Sequence, residues 1–435
     1  MEKETQDGKG VSGCWAFGIS AMQGWRPGME DAHLALPDFD TARQLGLFGV
    51  FDGHGGAAVA RIVAERLPGM LRDLPLFQAG KYSEALYEAF FLLDAFVDSP
   101  DGRREVARVT AECCPKVPLL PLLEEHDDEA LERLLLGLPS LFSEEDEEEV
   151  CPEEGEEDDD ESTEGNNAWA NGEGPDGMGC TAVVALVCGG KSPELIVANA
   201  GDSRCILARG KRALSMSRDH KPTLKVERRR IKKAGGFVSM DGRVDGNLNL
   251  SRALGDFAYK KDKSLKASEQ KISCEAEVRS RSLTPADRYV VLGCDGIFEK
   301  RTNQALVDFL LPRLLRKTRR HPRLSTVCSA FLDENVAKNP TQEQGLGCDN
   351  MTLMVVDLAA GGSPFCVDVE ARHGTRKSNL CKKRPALTAF GGPRSETLGI
   401  RQSIGKGKSR RKRSPGLRRL QLLTYHRPNL WSSAE

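Results

Sequence analysis

The sequence lacks any apolar run as long as the ~18 residues that a membrane-spanning helix requires, and it begins with the polar segment MEKETQDGKG. We therefore expect neither a transmembrane helix nor a secretory signal, and Glu2 after Met1 excludes N-myristoylation. The 13 cysteines are odd in number and include no Cys-x-x-Cys pair. This pattern favours reduced thiols over a disulfide framework. We expect a nuclear and/or cytoplasmic protein that is neither secreted nor bound to a membrane.

A large charge of either sign is also missing, because the formal net charge is -2 over 435 residues. The charges are instead separated along the chain. Residues 144–161 hold fourteen Asp or Glu and no Lys or Arg, whereas 401–419 hold nine Lys or Arg and no acid. Neither tract has the apolar residues needed to bury a core, so we predict that both are disordered.

Hydrophobic periodicity outlines one domain over residues 13–360. Residues 1–12 are predicted to be disordered, and 362–435 are predicted to form a disordered basic tail. Residues 101–178 are predicted to be an insert that contains the acidic tract and a short Leu-rich helix at 129–137, because strand signals resume directly after them.

Individual runs predict the main elements. GCTAVVALVCGG, ELIVANAGDS and RCILARG predict an antiparallel meander, and KPTLKVERRRIKKAGG predicts a helix that ends at Gly235-Gly236. WAFGISAM, GLFGVFD, DRYVVLGCDG and NMTLMVVDL predict strands. Helices are predicted from AAVARIVAERLPGMLRDL and SEALYEAFFLLDAFV and around 303–318 and 324–337.

Acidic residues recur where predicted strands end, each followed by Gly, Ser or Asn. These acids are Asp52, Asp202, Asp295 and Asp349, with Asp31 and Asp256 in nearby loops. Several carboxylates gathered at one edge would repel each other and lose hydration unless cations held them together. Carboxylates and carbonyls are hard ligands that suit Mg²⁺ or Mn²⁺, and the chain has no Cys/His set with zinc-ligand spacing.

The segment FDGHGG carries the most informative of these acids. Asp52 and His54 follow a predicted buried strand, and Gly53 and Gly55 allow the backbone to approach a ligand closely. A polar turn that uses Asp and Gly only for their backbone angles explains this segment alone equally well.

Eight motifs occur in the order found in the metal-dependent serine/threonine protein phosphatases of type 2C, which the sequence resembles over roughly residues 13–360. They are GWRPGMEDAH, VFDGHGG, GCTAVVAL, ANAGDSR, DHKP, NLSRALGDFAYK, CDGIF and GCDNMT. The motif wording and the acidic insert are most similar to the gamma-isoform group. The resemblance implies an α+β fold, a four-layer αββα sandwich of two packed antiparallel β-sheets flanked by helices, with a dinuclear metal cleft at one end.

The resemblance also implies roles for the site residues. Two Mg²⁺ or Mn²⁺ ions and a bridging hydroxide nucleophile are expected. Whether a third ion also binds, more weakly, is left open. The implied metal ligands are Asp52, the Gly53 carbonyl, Asp256, Asp295 and Asp349, with Asp31 and Asp202 as outer or third-site ligands. Glu30 is expected to orient metal-bound waters.

Arg26 matches the phosphate-binding arginine of the family, since a planar guanidinium suits a phosphate face. His54 is the expected general acid for the serine or threonine leaving oxygen. The alternative for His54 is only to orient a metal-bound water.

Some features depart from the family or compete with this interpretation. Phe298 and Glu299 replace the usual Trp and Asp or Asn, and Ala258 stands where many members carry an acid, which puts the third metal site in doubt.

CVDVEAR (Cys366 to Arg372) fits Cys-x5-Arg formally, but its acids would repel phosphate and it has no glycine, so we reject a cysteine phosphatase. His33 and His220 are given structural roles.

The competing hypothesis is a pseudophosphatase or binding protein that engages nuclear partners through its charged tracts. The retained site residues argue against it. The expected partners are phosphoprotein substrates and, through the acidic tract, basic nuclear proteins. GKGKSRRKRS could serve as a nuclear localisation signal or bind nucleic acid. No membrane partner is expected, and the chain is expected to be monomeric.

Overall fold

The structure is a computed structural model that describes residues 1–11, 14–113, 174–316, 323–360 and 365. Its strands are β1 (Lys3–Lys9), β2 (Ala16–Met22), β3 (Ala32–Asp40), β4 (Leu45–Phe51), β5 (Gly53–His54), β6 (Gly179–Cys180), β7 (Ala182–Cys188), β8 (Glu194–Ala200), β9 (Arg204–Arg209), β10 (Arg212–Ser215), β11 (Leu254–Gly255), β12 (Glu277–Ser282), β13 (Asp287–Gly293) and β14 (Met351–Asp357). Its helices are α1 (Ala58–Asp73), α2 (Pro75–Gln78), α3 (Tyr82–Asp98), α4 (Pro100–Cys113), α5 (Lys225–Lys233), α6 (Asp295–Phe298), α7 (Asn303–Leu314) and α8 (Leu324–Asn335).

Two antiparallel sheets pack face to face. One has the strand order β1-β2-β14-β13-β9-β10, and the other has the order β12-β8-β7-β4-β3. A small third sheet, β11-β6-β5, lies at the site described below. The α+β sandwich expected from the family resemblance is confirmed.

Strand β4 shows why the domain has four layers. All of its residues are buried. Phe48 and Val50 join the core between the two sheets, whereas Leu47 and Phe51 join a second core with α1, α3 and α4. Because side chains alternate along a strand, such a continuous apolar run requires cover on both faces. Helices α7 and α8 cover the other sheet.

The N-terminal prediction is wrong for most of its length, because Lys3–Lys9 form an edge strand paired with β2. This polar segment buries little of itself. Its order comes from the backbone ladder and from distant partners: Ser325 N–H donates to Asp7 at 2.9 Å, and Lys3 pairs with Asp333. Local composition could not reveal such long-range pairing.

Two other boundaries differ from the predictions. The insert does not begin at 101, since α4 buries Val106 and Val109 in the same core as α1 and α3. The predicted meander is only half correct, because β7 pairs with β8 while β9 crosses to the other sheet and pairs with β13. The predicted Leu-rich helix, the acidic tract and the basic tail lie outside the described residues.

Candidate metal and phosphate site

Asp52 lies where β4 ends, at the junction with the small third sheet. The Thr181 N–H donates to the Asp52 carbonyl at 2.9 Å, and β5 then pairs with β6. A Cβ built on Gly53 would overlap the carbonyl oxygen of Glu30, so only glycine allows this approach. The close packing brings Glu30 and Asp31 beside the end of β4.

Asp295 and Asp349 come from neighbouring strands of the six-stranded sheet. Asp295 follows β13, but Asp349 precedes β14, so its predicted position at a strand end is wrong. The two strands are antiparallel, with Gly293 opposite Leu353, so the end of one meets the start of the other. The antiparallel pairing therefore gathers both acids at one edge.

Asp202 follows β8 and is buried. Its carboxylate pairs with Lys221. His220 supports this turn from behind, because its backbone N–H donates to the Gly201 carbonyl at 3.0 Å and its Nδ1 accepts from the Gly201 N–H at 3.2 Å. The structural role expected for His220 agrees with these contacts.

Asp256 has a different environment from the other acids. It is fully buried, and both carboxylate oxygens lie within 2.9 Å of His54 Nε2. Its φ of 54° is left-handed, and its N–H donates to the Met178 carbonyl at 2.9 Å. His54 lines the adjacent cleft, and Asp256 lies behind it.

Asp31 is buried below the cleft. Its Oδ2 accepts from Thr352 Oγ1 at 2.7 Å, and its Oδ1 has no hydrogen-bond partner in the part of the chain that the structure describes. Ligand atoms of Asp31, Asp52 and Cys294 all lie within 4.8 Å of one another. The sequence interpretation did not single out Cys294, although this residue directly precedes Asp295 in CDGIF.

The carboxylates strongly perturb one another. Burial, followed by the charges of neighbouring acids, raises the pKa of Asp295 to about 8 and the pKa of Asp52 well above its usual range. Burial also raises the pKa of Asp31 to about 6 and raises the pKa of Glu30. Such a cluster disfavours its own ionisation without compensating positive charge. The crowded oxygens and the unpartnered Asp31 Oδ1 therefore fit divalent cations with hard oxygen ligands.

A cleft of about 580 Å³ lies at this edge of the sheets. Its lining includes Arg26, Glu30, Asp52, Gly53, His54, Asp202, Asp295 and Asp349, together with Thr181 and residues of the segment 241–250. The sequence interpretation missed Thr181 and the segment 241–250. The latter combines Asp241 and Arg243 with Asn and Gly residues and carries no strand or helix signal.

Arg26 stands at this cleft with a half-exposed side chain, and its Nη2 lies 2.6 Å from Asp349 Oδ2. Asn350 holds the loop on which Arg26 lies. Its Nδ2 donates to the carbonyls of Gln23 at 2.7 Å and Gly28 at 2.9 Å, and its Oδ1 accepts from the Glu30 N–H at 2.8 Å. The role of Asn350 was also missed, although it follows Asp349 in the GCDNMT motif.

The departures at Phe298 and Glu299 have structural partners. Glu299 accepts from the Gly347 N–H at 2.7 Å, and the Arg204 guanidinium lies 4.8 Å from the Phe298 ring centroid. Cys366 and Arg372 lie outside the described residues. Within the described ranges, no helix has both the length and the apolar character needed to span a membrane.

Comparisons with known proteins agree with the fold. Residues 15–113 and 123–343 match the family profile of protein phosphatase 2C, so the match resumes inside the predicted insert. Probable protein phosphatase 2C 11 of Oryza sativa subsp. japonica is 36% identical over 348 residues, which are 79% of this chain and 84% of that protein. Protein phosphatase 2C 1 of Paramecium tetraurelia is 37% identical over 357 residues, 82% of this chain and 96% of that protein.

A similar fold occurs in the crystal structure of a phosphatase from a pathogenic strain of Toxoplasma gondii. The TM-score is 0.54 at 21% identity, and the match covers 82% of this chain and 95% of that one. With the family profile and the relatives, the comparisons identify the chain as a member of the protein phosphatase 2C family and a serine/threonine protein phosphatase.

Proposed function

We propose that this phosphatase hydrolyses phosphoserine and phosphothreonine in the acidic cleft with two divalent cations, Mg²⁺ or Mn²⁺. The family implies dependence on a divalent metal. The observation that carries the two-cation proposal is the convergence of Asp52, Asp202, Asp295 and Asp349 on one cleft. Bound cations would neutralise these carboxylates, stabilise the charge of the phosphoryl oxygens and lower the pKa of water.

The residues proposed to hold the cation pair are Asp52, the Gly53 carbonyl, Asp256, Asp295 and Asp349. Asp31 and Asp202 are proposed outer ligands, or ligands of a weaker third ion, and Glu30 is proposed to orient waters. Asp256 must exchange part of its contact with His54 to act as a ligand, because both of its oxygens now face Nε2.

Arg26 is proposed to bind the phosphate group of the substrate. Its side chain is 55% exposed, and its ion pair with Asp349 uses Nη2. The guanidinium has five N–H donors in a planar fork, so others stay free to bind phosphate oxygens. The Arg26–Asp349 contact keeps this cation at the cleft before substrate arrives.

His54 is proposed to protonate the leaving oxygen. Burial alone would lower the pKa of His54, but the charge of Asp256 and its hydrogen bond outweigh burial and raise it. A raised pKa favours the protonated imidazole, which is the form that a proton donor requires. The two carboxylate contacts also fix the orientation of the ring.

The test is hydrolysis of phosphoserine and phosphothreonine peptides by the purified full chain with Mg²⁺ or Mn²⁺. We expect EDTA to abolish turnover and added Mn²⁺ to restore it. Turnover that continued in excess chelator would contradict the proposal. Asp287→Asn is a matched control for substitutions of the cleft acids. Asp287 is also a buried acid, but it lies at the opposite end of β13, where it pairs with Arg209 at 2.7 Å.

The finer family assignment and the nuclear partners remain proposals. We propose that the chain belongs with the gamma-isoform group and that its acidic tract, 144–161, binds basic proteins. Fourteen uncompensated acids in this tract support electrostatic recognition of a basic partner. The basic stretch 401–419 is proposed to direct the protein to the nucleus.

A further inference from the structure

We propose that a surface groove between helices α1, α3 and α4, here called the helical groove, binds a basic amphipathic helix of a partner protein. The groove has a volume of about 700 Å³, against about 580 Å³ for the acidic cleft. Its lining residues are Glu65, Arg66, Gly69, Met70, Asp73, Leu74, Leu92 and Glu105. None of these residues lines the acidic cleft, so the inference goes beyond the proposed function and does not depend on it.

Gly69 makes a gap in the exposed surface of α1. Residues at positions i, i+4 and i+8 form one row along a helix, and here such a row consists of Glu65, Gly69 and Asp73. A Cβ built on Gly69 would meet no atom within 4 Å, so packing against the described residues does not require glycine here. Glycine inside a helix is also less favourable than alanine. The gap is therefore open space that a side chain from a partner can enter.

The surface around this gap is apolar. Met70 is half-buried and Leu74 is buried, whereas Leu92 of α3 is 40% exposed. An apolar side chain that entered at Gly69 would meet these three side chains in the same groove. Removal of their remaining apolar surface from water would stabilise the complex.

Acids flank the apolar gap on both sides. Glu65 and Asp73 are exposed, and neither has an ion-pair or hydrogen-bond partner among the described residues. Arg66 is already engaged, because it pairs with Glu105 and its guanidinium lies 4.2 Å from the Phe96 ring centroid. The uncompensated charge of the groove is therefore negative, and a complementary partner carries Lys or Arg.

The spacing of the two free acids defines the partner segment. Glu65 and Asp73 are eight residues apart, which is a rise of about 12 Å along the helix, with Gly69 midway. A second helix that packs along α1 matches this spacing when it carries Lys or Arg at positions i and i+8 and Leu at position i+4. Recognition of an amphipathic helix through such anchors is a common mode of peptide binding.

The test is a titration of the full chain into a fluorescently labelled synthetic helix that has this Lys–Leu–Lys pattern and a length of about 18 residues. A charge-matched peptide with Ala in place of Leu measures the binding that needs charge alone, including any binding to the acidic tract 144–161. We expect the wild type to bind the Leu peptide about 10-fold more tightly than the Ala peptide, because a Leu side chain becomes buried. Equal affinity for the two peptides would overturn the proposal.

Gly69→Gln fills the gap without a change of charge. Because Gln is a better helix former than Gly and a Cβ meets no atom within 4 Å here, we expect Tm to be retained. The preference for the Leu peptide should disappear. Ala107→Gln is the matched control, since Ala107 is exposed on α4 outside the groove lining, and this variant should keep the preference. A preference that survived in Gly69→Gln would reject the groove as the binding site.

Charge reversal at the rim tests the acids separately. We expect Asp73→Lys to raise the Kd for the Leu peptide about 5-fold and to reduce its dependence on salt. Asp308→Lys, which reverses an exposed acid on α7, should leave the Kd unchanged. The same Kd in wild type and Asp73→Lys would reject charge complementarity. If sedimentation showed self-association of the wild type that Gly69→Gln abolished, the occupant would be a second copy of the chain, and the partner-helix proposal would be wrong.

Discussion

Asp52 and His54 are two positions apart in sequence but have different electrostatic surroundings. Asp52 lies among other acids. Burial raises its pKa most, and the charges of these acids raise it further. His54 is hydrogen-bonded to the Asp256 carboxylate, and the charges of Asp202 and Glu30 also raise its pKa. Positive charge would stabilise the first environment, whereas the second stabilises positive charge on the imidazole itself.

We expect Asp52→Asn to remove both Mn²⁺ binding and phosphatase activity, because Asp52 is one of the residues proposed to hold the cation pair. We expect His54→Gln to lower kcat by about 10²–10⁴-fold, the range for loss of a general acid, with far less loss of metal binding. Calorimetric Mn²⁺ titrations beside kcat measurements provide the check. Equal metal loss in the two variants would defeat the role assigned to His54.

At the scale of elements, helix α3 supports the turn that carries Asp256. Asp94 on α3 accepts from the Gly255 N–H at 2.9 Å and from Lys260 Nζ at 2.7 Å. Lys260 also donates to the Ala253 carbonyl at 2.9 Å. Both charged side chains are nearly inaccessible. This buried ion pair therefore connects both ends of the turn to the helix.

We expect Lys260→Met to lower both Tm and the affinity for Mn²⁺. Removing one partner of a buried ion pair typically costs about 3–5 kcal/mol, and here it also releases the turn that fixes Asp256. Arg209→Met is the matched control, since it breaks a pair with buried Asp287 at the end of β13 remote from Asp295. It should lower Tm and leave Mn²⁺ affinity unchanged. Similar loss of affinity in both variants would show that Lys260 acts only through stability.

A second ionic network ties α5, which precedes the cleft-lining segment 241–250, to Ser251 and Arg252, which follow that segment. Glu227 on α5 accepts from Arg230 at 2.5 Å, from Arg252 at 2.8 Å and from Ser251 at 2.8 Å. Burial would raise the pKa of Glu227, but the hydrogen bond and charge of Arg252 and the charge of Arg230 lower it from 4.5 to about 2. The ionised carboxylate is thus favoured in the folded state.

This shift predicts an acid-sensitive contribution to stability. Because the folded pKa is depressed, the contribution is fully present above about pH 4.5 and is lost as the pH falls toward 2. We expect Glu227→Gln to lower the free energy of unfolding at neutral pH and to flatten its slope between these values. Denaturant unfolding at several pH values measures this, with Glu334→Gln, a half-exposed acid paired with Arg313, as the control. A parallel pH dependence in wild type and Glu227→Gln would contradict the assignment.

For the whole molecule, the charged tracts are separate in sequence from the residues proposed to act in catalysis. The proposed ligands come from segments on both sides of the acidic tract, between Asp31 and Asp349. Deleting 144–161 should therefore leave kcat on a short phosphopeptide unchanged and weaken binding to a basic polypeptide. Parallel turnover and binding assays on wild type and deletion check this. A large fall in kcat would show that the tract supports the catalytic fold.

The basic stretch gives a separate prediction about location. We expect deletion of 401–419 from a fluorescent fusion to shift the protein out of the nucleus, because nine cationic residues are removed. A scrambled sequence of the same composition is a control for charge alone. An unchanged distribution after the deletion would contradict the nuclear-signal hypothesis.

The sequence was informative where the physical signal is local. The apolar run before Asp52 predicted β4, and the helical spacing before Gly235-Gly236 predicted α5, which the structure has at Lys225–Lys233. The eight ordered motifs predicted the family and, through it, the sandwich. Gly53 was expected to let the backbone approach a ligand, which stays a prediction, and the structure shows that it allows close packing against the Glu30 carbonyl.

Only the tertiary structure decided which distant groups meet. Strand Lys3–Lys9 exists because β2 offers an edge, α4 is ordered by its apolar contacts with α1 and α3, and β9 joins the sheet opposite to β8. The contacts of Asn350 with the Arg26 loop and of Cys294 with Asp31 cross more than 250 positions of sequence. Periodicity and motifs encode local conformation and residue type, whereas these contacts depend on how the two sheets pack.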